Sequence, residues 1–172
     1  MKINLKSIKV FKNLNDEYIN FIENSAEFYN YNIGHPILNL GLIPNKVFII
    51  LSGEARLIYA TSSGRETISR LKSDSFIGLA SLLNAKGCEQ VTASSEVIVL
   101  AIPDTVILKL YKEDLSFNRW CNSTLQVSEL LELSKIFLRN YPKSNININS
   151  LINIFLDNSL LITLDNGKSI SA

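Results

Sequence analysis

Between residues 26 and 102 the chain alternates short apolar segments with turn residues, and this rhythm limits the fold more than any other feature. The segments with strand character are Ala26–Tyr31, Pro36–Leu40, Lys46–Ser52, Ala55–Thr61, Glu66–Leu71, Phe76, Glu89–Ser94 and Glu96–Ile102. They are split by "NIGH", "GLIPN", "SGE", "SSGR", "KSD" and "NAKGC". Short strands at this spacing, with glycines where a positive φ eases a tight turn, predict a sandwich or barrel.

The flanks read as helices. Residues 14–25, "LNDEYINFIENS", carry a cap at Asn15, acids at Asp16 and Glu17, and a Leu14–Ile19 staple. Tyr18, Phe21 and Ile22 are the expected buried face. After Ile102, Pro103 suits a first helical position, with Val106, Ile107 and Leu110 on one face. Asp114 can cap a helix through Phe117, Trp120 and Cys121, and "NST" then breaks the apolar stripe. Ser123 with Gln126 forms an expected capping box for a last long helix, which carries Leu130, Leu131, Leu133, Phe137 and Leu138 and stops before Pro142. The tail adds a short helix near Ser150–Leu156 and a strand at Leu160–Leu164.

Residues 75–95, "SFIGLASLLNAKGCEQVTASS", carry the chemistry. A strand ends at Phe76, Gly78 opens a turn, a short apolar helix follows, and after Gly87 the chain runs out again as a strand. This is the layout of a phosphate cradle built on a helix N-terminus. No cation stands where a phosphate would want one, and Glu89 lies just past the helix.

Composition narrows the function. With 17 Lys and Arg against 16 Asp and Glu, scattered along the chain, there is no basic face to grip nucleic acid. The longest apolar runs, such as Val47–Leu51, are too short for a bilayer, and "MKINLKSIKVFKNL" is no signal peptide, so the expected location is the cytoplasm. His35, the only histidine, reads as a turn residue beside Pro36. A histidine-held metal or a nucleophile–histidine site has too few ligands, so no catalytic residue, metal or cofactor is expected. Cys88 and Cys121 read as reduced, partly buried thiols. Asp16 and Glu17 read as first-turn charges.

In order and spacing, "FKNLNDEYINFI", "IGHPIL", "VFIILSGEARLI", "SSGRETISRL" and "SDSFIGLASLL" resemble the cyclic nucleotide-binding domain family, the sensor fold of catabolite activator protein, protein kinase A regulatory subunits and gated channels. The resemblance covers about residues 11–140. It implies a mainly β fold with flanking helices: a jelly-roll-like, double-stranded β-helix at about 26–102, with an N-terminal helix and C-terminal helices. Residues 1–140 are the expected domain, and 141–172 a helix–strand extension leading to or packing on another domain. The ligand positions implied are Gly78, Leu79, Ala80, Ser81, Glu89, Gln90 and Val91.

Those positions depart from the family. Its cassette holds ribose with a Glu and phosphate with an Arg; here Leu79 and Glu89 stand there, and Gln90 and Val91 replace a pair of small residues. Breaking one buried charge pair costs roughly 2–5 kcal/mol, with several more for like charges, and about 1.4 kcal/mol is a factor of ten. The cassette is therefore expected to be degenerate for cyclic nucleotides. If only the charge pair is missing, Leu79→Glu with Glu89→Arg is expected to restore affinity. Glu89 itself has three readings: a solvated rim residue, a partner for Arg65 or Arg70, or a ligand contact. Trp120 is a packing residue or an aromatic lid.

A narrower resemblance spans about residues 76–138. "GCEQVTASSEVIVLAIP" and "FNRWCNSTLQVSELLEL" are similar to the N-terminal domains of cyanobacterial toxin- or bacteriocin-type ABC exporters. It implies a non-catalytic regulatory or docking domain. That domain would act on a protein partner or neighbouring domain through helices at about 114–140, without nucleic acid or membrane insertion. The alternatives are a homodimer through those helices, and a small-molecule sensor that binds a non-standard ligand, or a cyclic nucleotide by a non-standard mode, including one that belongs to a transcription regulator.

Overall fold

The computed structural model describes residues 3–61, 64–143 and 146–158. Two short 3-10 turns, Leu5–Ser7 and Lys9–Phe11, lead into α1 (Asp16–Ser25). The strands are β1 (Glu27–Tyr31), β2 (Pro36–Leu38), β3 (Lys46–Ser52), β4 (Ala55–Thr61), β5 (Gly64–Leu71) and β6 (Phe76–Ile77). After the short α2 (Leu79–Leu83) come β7 (Val91–Ala93) and β8 (Val97–Pro103). The chain then turns helical: α3 (Asp104–Glu113), α4 (Leu115–Ser123), α5 (Val127–Asn140) and α6 (Ile148–Asn158).

The strands form two antiparallel four-stranded sheets, ordered β1-β8-β3-β6 and β2-β7-β4-β5. Ile50, Ile77, Val97 and Val99 of the first sheet share one core with Ile37, Leu57, Val91 and Ala93 of the second. The opposite face of the first sheet is also covered. Val47, Ile49, Leu100 and Ile102 pack with Phe11, Ile22, Ile107 and Phe117 from the helical layer. A strand buried on both faces needs apolar residues at consecutive positions, and "VFIIL" and "VIVLAI" supply them. The fold is the expected β-roll with flanking helices.

Caps set the helix ends. The Asn15 side chain accepts from the Tyr18 N–H at 2.9 Å, and Asp114 from the Phe117 N–H at 2.7 Å. Four local expectations need correction. On α1 the buried residues are Ile19 and Ile22, in line with Leu14, whereas Tyr18 is half-buried and Phe21 is exposed under the Lys109 ammonium. Pro103 closes β8 and precedes α3, because its extended ψ of 143° keeps it in the ladder opposite Lys46. The capping box of α5 is Gln126 with Glu129, not Ser123 with Gln126, since α4 runs on through Ser123. The expected strand from Glu89 begins only at Val91, because the Glu89 side chain bonds back to the cassette.

Helix α6 packs Ile148 and Ile152 against Leu130 and Leu131 of α5, with Tyr59 and Ile68 alongside. The strand expected at Leu160–Leu164 lies outside the described residues.

Candidate functional site

Gly78 makes the turn that builds the site. Its φ of +89° is left-handed, and a Cβ there would come within 2.9 Å of the Pro44 ring, so glycine alone suits it. The turn aims the Gly78 and Ser81 amides inward across the start of α2. On the far side, Gly87 lies against the Gly41–Leu42 backbone so closely that a Cβ would approach Gly41 C to 2.3 Å. This contact folds the loop back and delivers Cys88 and Glu89 to the amides.

Glu89 is 4% exposed. Its Oε1 accepts from the Gly78 N–H at 3.0 Å; its Oε2 accepts from the Ser81 N–H at 3.0 Å and the Ser81 hydroxyl at 2.7 Å. The same hydroxyl accepts from the Cys88 N–H at 3.2 Å. Backbone donors that converge on an anion are what a phosphate cradle offers, and here a carboxylate of the same chain takes them. Among the described residues no ion pair joins Glu89 to a cation. Arg70 instead holds Glu54 at 2.6 Å, and Lys86 holds Glu132 at 2.6 Å. The rim and cation-partner readings of Glu89 are thus both replaced: the amides lie nearer than any guanidinium, and they satisfy the carboxylate in place.

Leu79 and Ala80 are buried at the start of α2. They are 1% and 2% exposed, and Leu79 belongs to the helical core. Leu79→Glu would bury a carboxylate among apolar side chains, so the Leu79→Glu, Glu89→Arg pair is no simple restoration. The Gln90 carbonyl accepts from the Ile58 N–H, and Val91 is fully buried between the sheets.

A cavity of about 300 Å3 lies beside Glu89. Leu57, Leu71 and Phe76 give it apolar surface, and the α4–α5 segment closes one side with Trp120 and residues 124–128. Trp120 also packs on Phe76, ring centroids 5.0 Å apart, and on Phe117 at 5.9 Å, so it is both packing residue and cavity wall. The lining from residues 124–128, and from Ser69 and Ser75, was not foreseen in the sequence; only the fold brings such distant positions together.

Two polar links strap the cassette loop to α5. Asn84 donates to Glu129 Oε1 at 3.0 Å, and Lys86 to Glu132 Oε2 at 2.6 Å. Lys135 donates to Glu132 as well. Burial pushes the Glu132 carboxyl up, but the bonds from Lys135 and Lys86 outweigh it and hold the group below its ordinary 4.5. A depressed carboxyl stabilises the fold above its unfolded value, and that contribution disappears as pH falls through the folded one. The Glu132 carboxyl carbon, followed by NMR, is therefore expected to titrate below 4.5, and Lys86→Ala is expected to raise the midpoint. Burial likewise pushes the Cys88 thiol up, and that of Cys121 to about 12, which fits inert thiols. His35 is exposed in its turn. Among the described residues no acidic, thiol and imidazole groups cluster as metal ligands, and no helix is long and apolar enough to cross a membrane.

A family model described as "Cyclic nucleotide-binding domain" matches residues 29–114, half of the chain. A cyclic nucleotide-binding-like protein from Brucella abortus is 21% identical with a TM-score of 0.53, over 63% of this chain and 95% of that one. The sensor domain of the transcriptional regulator DNR from Pseudomonas aeruginosa is 12% identical with a TM-score of 0.60, over 83% and 91%. The regulatory subunit of a cAMP-independent protein kinase A from Trypanosoma cruzi, bound to guanosine, is 16% identical with a TM-score of 0.54, over 69% and 46%. Identities this low establish shared fold alone. No curated protein matches the chain.

Proposed function

The chain belongs to the cyclic nucleotide-binding domain family, and from that premise we propose a non-catalytic regulatory or docking domain, cytoplasmic in setting, that supplies the anion of its phosphate cradle itself. The family is regulatory rather than catalytic. The observation that carries the reading is the Glu89 carboxylate on the Gly78 and Ser81 amides. A cyclic phosphate would have to displace that carboxylate or sit against it. Like charges brought together cost several kcal/mol, and each 1.4 kcal/mol is about tenfold, so affinity falls by roughly three orders of magnitude.

The output runs through α4 and α5, which are tied to the cassette by Trp120 on Phe76 and by the Lys86–Glu132 and Asn84–Glu129 links. Leu133 and Ile136 stand exposed on α5, where a neighbouring domain or partner chain can rest. The exporter setting rests on the sequence resemblance.

A second reading, a sensor for a ligand without a cyclic phosphate, is favoured by the cavity beside Glu89. A protein that shares the fold over 46% of its length, the Trypanosoma cruzi kinase subunit, is bound to guanosine, a ligand with no phosphate.

Calorimetric titration of cyclic AMP and cyclic GMP is expected to give no heat of binding at about tens of micromolar, and no rise in melting temperature. A micromolar dissociation constant for either nucleotide would overturn the proposal.

A further inference from the structure

The outer face of the second sheet carries two guanidiniums side by side. In the register of β4, Arg56 stands opposite Arg70 of β5 on one side and Thr92 of β7 on the other. Directly opposed residues share a face, and the neighbours of Arg56 in the chain, Ala55 and Leu57, point into the core, so these three side chains face outward. Like charges directly opposite one another destabilise a sheet. Glu54 offsets one of them: it accepts from Arg70 at 2.6 Å, and Lys72 approaches it at 4.0 Å. Arg56 has no such relief. It is half-buried, its Nε is shielded from solvent, and its side chain makes no hydrogen bond or ion pair among the described residues. A part-buried charge without a partner costs stability, so packing alone does not account for this arginine.

We propose that Arg56 anchors an acidic segment of a partner protein, one carboxylate of which takes the guanidinium beside the Glu54–Arg70 pair. That pair displays the chemistry: a carboxylate of this chain sits on one guanidinium, and the guanidinium next to it is open. With Nε shielded, the two terminal nitrogens of Arg56 are left to meet a partner, and a planar carboxylate fits their fork. Thr92 adds a hydroxyl donor beside it. Lys72 follows two residues after Arg70, a diagonal offset of roughly 7–8 Å from Arg56. Alternate side chains of an extended peptide recur at about 7 Å, so a second acid two residues along the partner reaches Lys72. A nucleic-acid backbone would want more than these cations, one of which is spent on Glu54. The site shares no residue with the exposed surface of α5, so it is a second contact face of the domain.

The shielded Arg56 Nε–H is its own NMR reporter. Capped hexaglutamate, capped hexaglutamine and inorganic phosphate are each titrated into the isotope-labelled full chain near neutral pH. Hexaglutamate is expected to shift the Arg56 Nε–H and Thr92 amide resonances saturably, with a Kd below about 1 mM at low salt, and to bind at least ~3-fold more weakly at about 0.15 M salt. Hexaglutamine is expected to shift neither. Arg56→Gln is expected to weaken hexaglutamate binding at least ~10-fold, read at the Thr92 amide, with the melting temperature retained. Arg56→Lys keeps the charge and loses the fork, so its affinity is expected to fall between the two. The inference is overturned if hexaglutamate does not saturate below about 1 mM, if hexaglutamine binds as well, or if inorganic phosphate binds as tightly as the peptide. It is also overturned if Arg56→Gln binds like the parent, or if that variant loses its melting temperature, which would make the arginine structural.

Discussion

Glu89→Leu is expected to destabilise the fold by about 3–5 kcal/mol, a large share of the stability of a domain this size. Leucine fills much of the same volume but accepts nothing. The Gly78 N–H, the Ser81 N–H and the Ser81 hydroxyl would all lose their acceptor inside a site where Glu89 is 4% exposed. Each stranded donor costs roughly 1–3 kcal/mol. Glu89→Gln keeps one acceptor oxygen but turns the other position into a donor, so a smaller loss of about 1–3 kcal/mol is expected. Urea unfolding followed by Trp120 fluorescence measures both. A Glu89→Leu variant as stable as the parent would mean that the carboxylate does not hold the cassette together.

Phe11→Ala is expected to cost about 3–5 kcal/mol by leaving a cavity at the centre of the helical layer. Phe11 is fully buried, with ring centroids 6.3 Å from both Phe76 and Phe117. Phe76 in turn carries Trp120. The aromatic cluster therefore joins the N-terminal turns, the strand before Gly78 and the helix beside the cavity. Loss of Phe11 is expected to lower the urea midpoint and shift Trp120 emission to the red. A variant that retains both would show that the cluster does not carry this load.

Much of the β-roll was legible because burial wrote it into the sequence. β3 and β4 stand where their apolar runs stand, each bounded by a turn residue that cannot continue the ladder. The helix caps at Asn15 and Asp114 were legible for the same local reason: cap and amide are three residues apart. Glu89 was not. An acid in strand-like surroundings reads as rim or ion pair, and its true partners lie 8 and 11 residues away across a short helix. Only the turn at Gly78 and the return at Gly87 bring them together. Lys86 with Glu132, 46 residues apart, is likewise created by the packing of α5 on the cassette and leaves no pattern in the sequence. Phe21 was misplaced because residues 18, 19, 21 and 22 form overlapping helical stripes, and the position of Leu14 decides between them.

The central claim is that the Gly78 and Ser81 amides already hold an anion, so a cyclic phosphate cannot reach them. The most direct measurement is the pair of backbone amide resonances of Gly78 and Ser81, followed by two-dimensional NMR as cyclic AMP is added to about 1 mM. Both resonances are expected to stay where they are in the free protein, with slow hydrogen exchange throughout. A saturable shift of the two amides with a micromolar midpoint would show the phosphate taking the place assigned to Glu89, and would contradict the account.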